Sequence, residues 1–345
     1  MSVWKKLPIW LQAIIITVVG LTLFGMVLNA TGNSGGNEPP AATSTPKPTK
    51  TPKPTNTAKP SNTPKPTATT PPTATPKPGA APTATPDPNA PTPAGFSIAF
   101  IDVGQGDAIL ITIDGHRLLI DGGPSGDRLR DRLRALGVDD LDAILITNPD
   151  ADHVRGLTEA LAMFQIETFY WSGSTNTTAT WNGLLAAVAA EPGIQTVTLA
   201  RSTTITLGNI TLLVLNPATL TGDRNVDSLA LDLTCGSVTV YLMGDATETS
   251  EAGMLRAGLI HAASVVKAGH HGSDTSSGAA FVAATHPQYV VFSAGLNSQY
   301  GHPKPAIVSR YEAAGATAIR TDTTGGDDTQ ILTSDCQSVS FAPAR

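Results

Sequence analysis

Between Asn148 and His153 the chain reads Asn148-Pro149-Asp150-Ala151-Asp152-His153, which places two carboxylates and an imidazole within four residues. Compact anionic and neutral donors packed this closely can collect around one divalent cation. Other stretches carry groups of the same kind. Asp245 ends Met243-Gly244-Asp245, His270 and His271 stand side by side in the run from Lys267 to Ser273, and His302 lies between Gly301 and Pro303. Asp107 and Asp121 belong to the glycine-rich stretches 102–108 and 119–123. Paired histidines flanked by glycines are poor core residues, because glycine marks exposed or tightly turned backbone. Each cluster also has a plain structural reading. An Asp/His turn can be a solvated cap, Asp245 would suit the N-cap of a helix starting near Ala246, and Lys267 could be an ordinary strand-end lysine.

Such groups act together only if rigid elements hold them. Residues 98–103, 108–113 and 117–120 read as three successive strands, with turns at 104–107 and Asp114-Gly115. The apolar run 143–146 is a strand leading into the 148–153 loop, and Val154, Leu157, Leu161 and Phe164 follow at helical spacing. Leu129, Leu133 and Leu136 mark one face of a helix that Gly137 can cap. Strand-like runs recur at 168–171, 196–199, 210–215, 229–233, 238–243, 264–266 and 289–292. Helices are expected at 184–190, 247–257, 279–284 and 305–314. Asp245, the His270-His271 pair and His302 all follow strands, so their loops can converge. Short strands with helices inserted between them point to helix-covered sheets rather than an all-β sandwich.

Composition divides the 345 residues sharply. Residues 7–28 carry no charge and follow Lys5 and Lys6. This run matches the roughly 20 apolar residues that a membrane-spanning helix needs. The lysines predict a cytoplasmic N-terminus, so residues 1–30 are expected to form a single-pass anchor with the rest outside the cell membrane. A cleaved signal peptide, giving a secreted protein, is the rival reading. Residues 31–95 are rich in Thr, Pro and Lys without apolar periodicity, and such a segment reads as an extended, disordered stalk. Residues 1–95 hold eight lysines and two acids, so with −6 for the whole chain the 250 residues from 96 to 345 carry −12. That balance disfavours a basic-groove nucleic-acid binder but not an enzyme that meets a phosphodiester through a metal. Cys235 and Cys336 lie in the exported part, where a disulfide is permitted. Both precede β-like runs, so adjacent positions in a sheet are conceivable, but free thiols are the simpler reading of the spacing.

Taken in order, Asp102-Val103-Gly104-Gln105-Gly106-Asp107-Ala108, Leu119-Ile120-Asp121-Gly122-Gly123, the 147–156 loop, Met243-Gly244-Asp245, His270-His271-Gly272-Ser273 and Tyr300-Gly301-His302-Pro303 resemble the motif set of the metallo-β-lactamase superfamily. The resemblance is to the hydrolase domain of ComEC-type competence proteins. It implies an α/β (α+β) fold, a four-layer αββα sandwich over residues 96–345 with a metal site along one edge. By the same resemblance, Asp152, His153, Asp245 and one of His270 and His271 would hold one ion, zinc or manganese. Asp150 would help hold a second ion, with Asp245 bridging. Asn148 stands where the family has a histidine, leaving the second position weak or empty, and Asn148→His is expected to raise occupancy towards two ions.

The activity implied is that of a metal-dependent hydrolase, favouring phosphodiesters and DNA first among them. Asp152 and Asp245 would be catalytic through the metal, whose bound water has its pKa lowered to roughly 7. Lys267, Ser273 and His302 would hold a substrate oxyanion or protonate the leaving group, while Asp107 and Asp121 would orient the ligands. The multi-span channel region of the competence proteins has no counterpart in this sequence, so a stand-alone hydrolase is expected. A surface module of the same fold with impaired catalysis is the alternative, motivated by Asn148. Nothing in the sequence identifies a protein partner.

Overall fold

The computed structural model describes residues 95–344. The expected anchor, residues 1–30, and all but the last residue of the expected stalk, 31–95, lie outside the described residues. Among the described residues, no helix is long and apolar enough to cross a membrane.

The chain opens with an antiparallel meander, β1 (Phe96–Phe100), β2 (Ile109–Ile113) and β3 (His116–Ile120). Asp114 and Gly115, both at positive φ, make the tight turn between β2 and β3. Parallel strands then follow one another: β4 (Ala143–Leu145), β5 (Thr168–Trp171) and β6 (Gln195–Thr198). Parallel neighbours need long crossovers. These contain α1 (Gly126–Ala135), α2 (Ala151–Met163) and α3 (Ala179–Ala190). A second sheet repeats the plan, with antiparallel β7 (Thr204–Leu207), β8 (Ile210–Asn216), β9 (Ala230–Cys235) and β10 (Val238–Leu242). Parallel β11 (Val265–Lys267), β12 (Tyr289–Phe292) and β13 (Thr317–Arg320) complete it. The crossovers here carry α4 (Glu248–Arg256), α5 (Ala279–Thr285) and α6 (Pro305–Ala313). Finally β14 (Gln330–Ser334) and β15 (Val339–Pro343) return to the first sheet, where β14 pairs with β1.

Side-chain alternation along the strands builds the layers. Ile98, Phe100, Ile109 and Ile111 from the first sheet meet Leu231, Leu233, Val238 and Val240 from the second in one core. Their neighbours Ala99 and Leu110 face a separate core with Leu129 and Leu133 of α1 and Leu157 of α2. Tyr241 and Val266 face a third with Met254, Phe281 and Tyr311 of α4, α5 and α6. Helix, sheet, sheet and helix are thus stacked. Each fully buried Leu, Ile or Phe contributes about 1.5–3 kcal/mol relative to exposure.

Two local readings are corrected here. Cys235, at the end of β9, and Cys336, in the β14–β15 turn, form a disulfide with their Cα atoms 4.9 Å apart, so neither thiol is free. The return of β14 and β15 to the first sheet brings their turn against the β9–β10 turn, where Ser237 N–H donates to Cys336 O. Asp245 is not a helix cap, because α4 starts at Glu248 with Thr247 as its N-cap.

Candidate metal centre

Loops at the carboxyl ends of strands from both sheets supply the site. Asp121 follows β3, the 148–153 loop follows β4, Asp245 follows β10, His270 and His271 follow β11, and His302 lies in the loop after β12. The β1–β2 loop adds Asp107. Its Gly106 must be glycine, since φ is +114° and a β-carbon would overlap the Asp152 carbonyl. Asp121, His270 and His271 are non-glycine residues in the left-handed region. Such backbone costs on the order of 1–3 kcal/mol and concentrates at functional sites.

His153 is fully buried near the start of α2. Its Nδ1 lies 2.8 Å from Asp121 Oδ2, and Asp121 also accepts from Thr147 Oγ1 (2.6 Å) and Thr147 N–H (2.8 Å). Nε2 is left facing Asp245 Oδ2 at 3.2 Å. His271, also buried, has a carboxylate behind it from another loop, within ion-pair distance but not hydrogen-bonded. Its Nδ1 is 3.3 Å from Asp107 Oδ1, and its Nε2 lies 3.3 Å from Asp245 Oδ1 and 3.6 Å from Asp152 Oδ2. The Asp121 hydrogen bond fixes the His153 ring, Asp107 lies behind the His271 ring, and the second nitrogen of each points into the site. The pair left undecided by the sequence is thereby resolved in position. His271 converges with Asp152 and His153, donor atoms within 4.8 Å of one another, whereas His270 stands at the rim, 3.9 Å from Asp245 with Nδ1 on Thr275.

The chemistry of this donor set fits a divalent cation. His153 Nε2, His271 Nε2 and Asp245 Oδ1 are buried without a hydrogen-bond partner. Leaving such atoms unmatched costs about 1–3 kcal/mol each, which a shared cation would remove. The electrostatics point the same way. Burial opposes charge on His271, but Asp245 and Asp107 outweigh it and push the imidazole up to about 9. Burial likewise opposes charge on His153, yet Asp245 and Asp121 hold its pKa well above the ordinary value. Burial raises Asp245, but His153 and His271 prevail and hold it below the usual carboxylate range.

Other expected residues are placed differently. Lys267 does not reach the cleft: its buried Nζ donates to Asp107 Oδ2 (2.6 Å) and to Ala268 O (2.9 Å). An ammonium held by a carboxylate and a carbonyl in the interior cannot meet a substrate oxyanion, so it positions Asp107 instead. Ser273 is buried too, and its hydroxyl accepts from Thr275 N–H (3.3 Å) and Thr275 Oγ1 (3.0 Å), bracing the turn that carries His270. Asn148 presents no oxygen to a metal. Its Oδ1 accepts from Asp150 N–H (2.9 Å), and its Nδ2 donates to Asn225 Oδ1 (2.7 Å) and towards Asp245 Oδ2 (3.4 Å). Asp150 is engaged by Arg224 Nε (2.7 Å) and Asn176 Nδ2 (3.0 Å).

A cleft of about 410 Å³ opens onto the centre and is lined by Asp150, Asp152, Arg224, Asp245, His271 and His302 among others. Burial, then the charge of His271 and His270, holds His302 down to about 4, so it is neutral at pH 7. Gln105, Asn176, Arg224 and Tyr300 also line the cleft and were not singled out from the sequence. Gln105 and Tyr300 lie inside recognised motifs. Arg224 sits in an ordinary polar loop, Gly222-Asp223-Arg224-Asn225, that carries no local signal.

The model of the family described as "Metallo-beta-lactamase superfamily" matches residues 101–295, more than half of the chain. ComE operon protein 3 of Bacillus subtilis (strain 168) is 26% identical over 249 residues, which cover 66% of this chain and 32% of that protein. Competence protein ComA of Neisseria gonorrhoeae is 28% identical over 229 residues, covering 65% and 30%. The chain therefore spans about a third of the length of these curated relatives. Among solved structures, the metallo-beta-lactamase fold protein YhfI from Bacillus subtilis aligns with a TM-score of 0.48 and 12% identity, over 70% of this chain and 100% of that one. With its ordered motifs, two-sheet fold and convergent Asp/His cluster, the chain belongs to the metallo-beta-lactamase superfamily.

Proposed function

We propose that the protein is an extracytoplasmic metal-dependent phosphodiesterase. The observation that carries this reading is the set of unpartnered, buried atoms His153 Nε2, His271 Nε2 and Asp245 Oδ1, gathered around Asp245 and His271 at a cleft that Arg224 also lines. Asp152, His153, His271 and Asp245 would hold one zinc or manganese ion, which when bound supplies Lewis acidity and lowers the pKa of a water. Asp121 and Asp107 stand behind the Nδ1 atoms of His153 and His271, so that both Nε2 atoms face the centre and would be available to a cation once it displaces their protons. Lys267 keeps Asp107 ionised in that role. Burial pushes the Asp107 carboxyl up, and Lys267 and His271 more than reverse it. Neutral His302 offers a nitrogen at the rim for a substrate oxygen or a proton, and is a poor acid at pH 7.

DNA is the first substrate to test, because one curated relative is named a competence protein and the motif set resembles the hydrolase domain of ComEC-type competence proteins. A smaller phosphodiester would meet the same groups. The Cys235–Cys336 disulfide supports an oxidising compartment, and the uncharged run 7–28 supports a single-pass anchor in the cell membrane with the hydrolase outside. The test is cleavage of DNA, RNA and an aryl phosphodiester by the full chain, with and without added Zn²⁺ or Mn²⁺. Cation-dependent cleavage is expected. Asp245→Ala should lower it by at least about 100-fold, since even the outer partners of metal ligands are worth 10–100-fold. A cation-loaded protein that cleaves none of the three, or an Asp245→Ala variant of undiminished rate, would overturn the reading.

A further inference from the structure

The residues that the resemblance assigned to a second ion do not fit one. Asp150 is neutralised by Arg224, whose guanidinium is always charged. Asn148 turns N–H groups, not its oxygen, towards Asn225 and Asp245. A metal ion on this side would lie beside a fixed positive charge and find Asp150 Oδ1 already engaged by Arg224 Nε and Asn176 Nδ2.

Arg224 is delivered by a built loop. Asp227, almost fully buried, accepts from Thr221 N–H (2.8 Å) and Gly222 N–H (2.8 Å). Asp223 Oδ1 accepts from Asn225 N–H (3.0 Å) and Val226 N–H (3.1 Å), and Val226 O receives Asn216 Nδ2 and Ser250 Oγ. Only Arg224 Nε is used, on Asp150. Its two terminal nitrogens have no hydrogen-bond partner among the described residues, and the side chain is 45% exposed on the cleft. Among the described residues lining the cleft, Arg224 alone carries a permanent positive charge. A guanidinium oriented through Nε with its other N–H groups free suits a doubly hydrogen-bonded anionic oxygen pair.

We infer that Arg224 takes the place of a second cation: the site holds a single metal ion, and the guanidinium clamps a non-bridging anionic oxygen of the substrate on the Asp150 side. This rests on the phosphodiesterase reading and narrows it to substrates with a charged phosphoryl group, excluding neutral esters and amides. Nucleic acid, a lipid headgroup and a small phosphodiester share that chemistry.

The test uses the full chain and has two readouts besides turnover. Elemental analysis after dialysis against Mn²⁺ or Zn²⁺ should give one ion per chain for the wild type and for Asn148→His. It should approach two only in Asn148→His/Arg224→Met. Calorimetric titration of the metal-loaded protein with inorganic phosphate should show affinity about 10- to 100-fold weaker in Arg224→Met, the worth of a charge-assisted hydrogen bond, and partly kept in Arg224→Lys. Two ions per wild-type chain, two in Asn148→His alone, or unchanged phosphate affinity in a folded Arg224→Met would overturn the inference. If phosphate binding depends on Arg224 but no phosphodiester is cleaved, the functional reading fails and this one stands. Cleavage of phosphodiesters with no dependence on Arg224 gives the reverse.

Discussion

Lys267→Met distinguishes a lysine that positions the site from one that touches the substrate. Lys267 and Asp107 are 0% and 1% exposed, and their charged atoms are 2.6 Å apart. Removing the ammonium leaves a buried carboxylate whose remaining charged neighbour is His271, at 3.3 Å. Breaking a buried ion pair on one side costs about 3–5 kcal/mol, against about 0.2–1 kcal/mol for an exposed pair. The double variant Lys267→Met/Asp107→Asn removes both charges and should recover part of this, leaving about 1–3 kcal/mol for the poorly matched amide. Urea unfolding of the disulfide-intact, metal-free chain would show the loss as a lower midpoint at little-changed slope. A second effect follows at the metal centre. Without Lys267, the largest influence opposing burial at Asp107 is gone, so its carboxyl shifts upward and its hold on His271 weakens. Cation affinity should then fall about 10- to 100-fold in both variants. An unchanged unfolding midpoint together with a raised KM alone would refute this reasoning and return Lys267 to the substrate.

Two further outcomes concern stability. The disulfide links residues 101 apart, so replacing Cys235 and Cys336 by alanine should cost up to about 4–5 kcal/mol through the freer unfolded chain; an unfolding midpoint equal to the wild type's would remove it as a stabilising tie between the two sheets. Glu251 on α4 accepts from Ser277 N–H (2.6 Å) and Gly278 N–H (2.8 Å), yet burial outweighs these bonds and raises it from 4.5 to about 7. The folded state therefore holds the extra proton between those values, and stability is lost as pH rises from about 4.5 to 7. Relative to the wild type, Glu251→Gln should gain about 3 kcal/mol between pH 5 and pH 8, because each pH unit between the two pKa values is worth about 1.4 kcal/mol. A difference independent of pH would show that Glu251 ionises freely in the fold.

Much of this protein was legible in its sequence because the signals are local. The alternation in 109–113, the paired positive-φ residues Asp114 and Gly115, and the helical spacing behind Asp152 depend on neighbours a few residues away, and the corresponding elements appear where those patterns lie. Asp152, His153, Asp245 and the His270-His271 pair stood out as candidates because each stands in a short motif at a strand end; the choice of His271 within the pair came from the structure. What stayed hidden depends on which loops meet. Nothing near Lys267 says that Asp107, 160 positions away, will bury it, and nothing near Ser273 says that its hydroxyl will be spent within its own turn. The pairing of Cys235 with Cys336 required β14 to return to the first sheet. Arg224 is the sharpest case, because its loop has the composition of any polar turn and meets Asp150 from 74 residues away. Sequence thus determined the family's layers and the candidate donor motifs, since hydrophobic periodicity and short motifs encode them directly. Only the tertiary structure decided which cation stands beside Asp150, because a charge is neutralised by what lies nearest in space, whatever the distance along the chain.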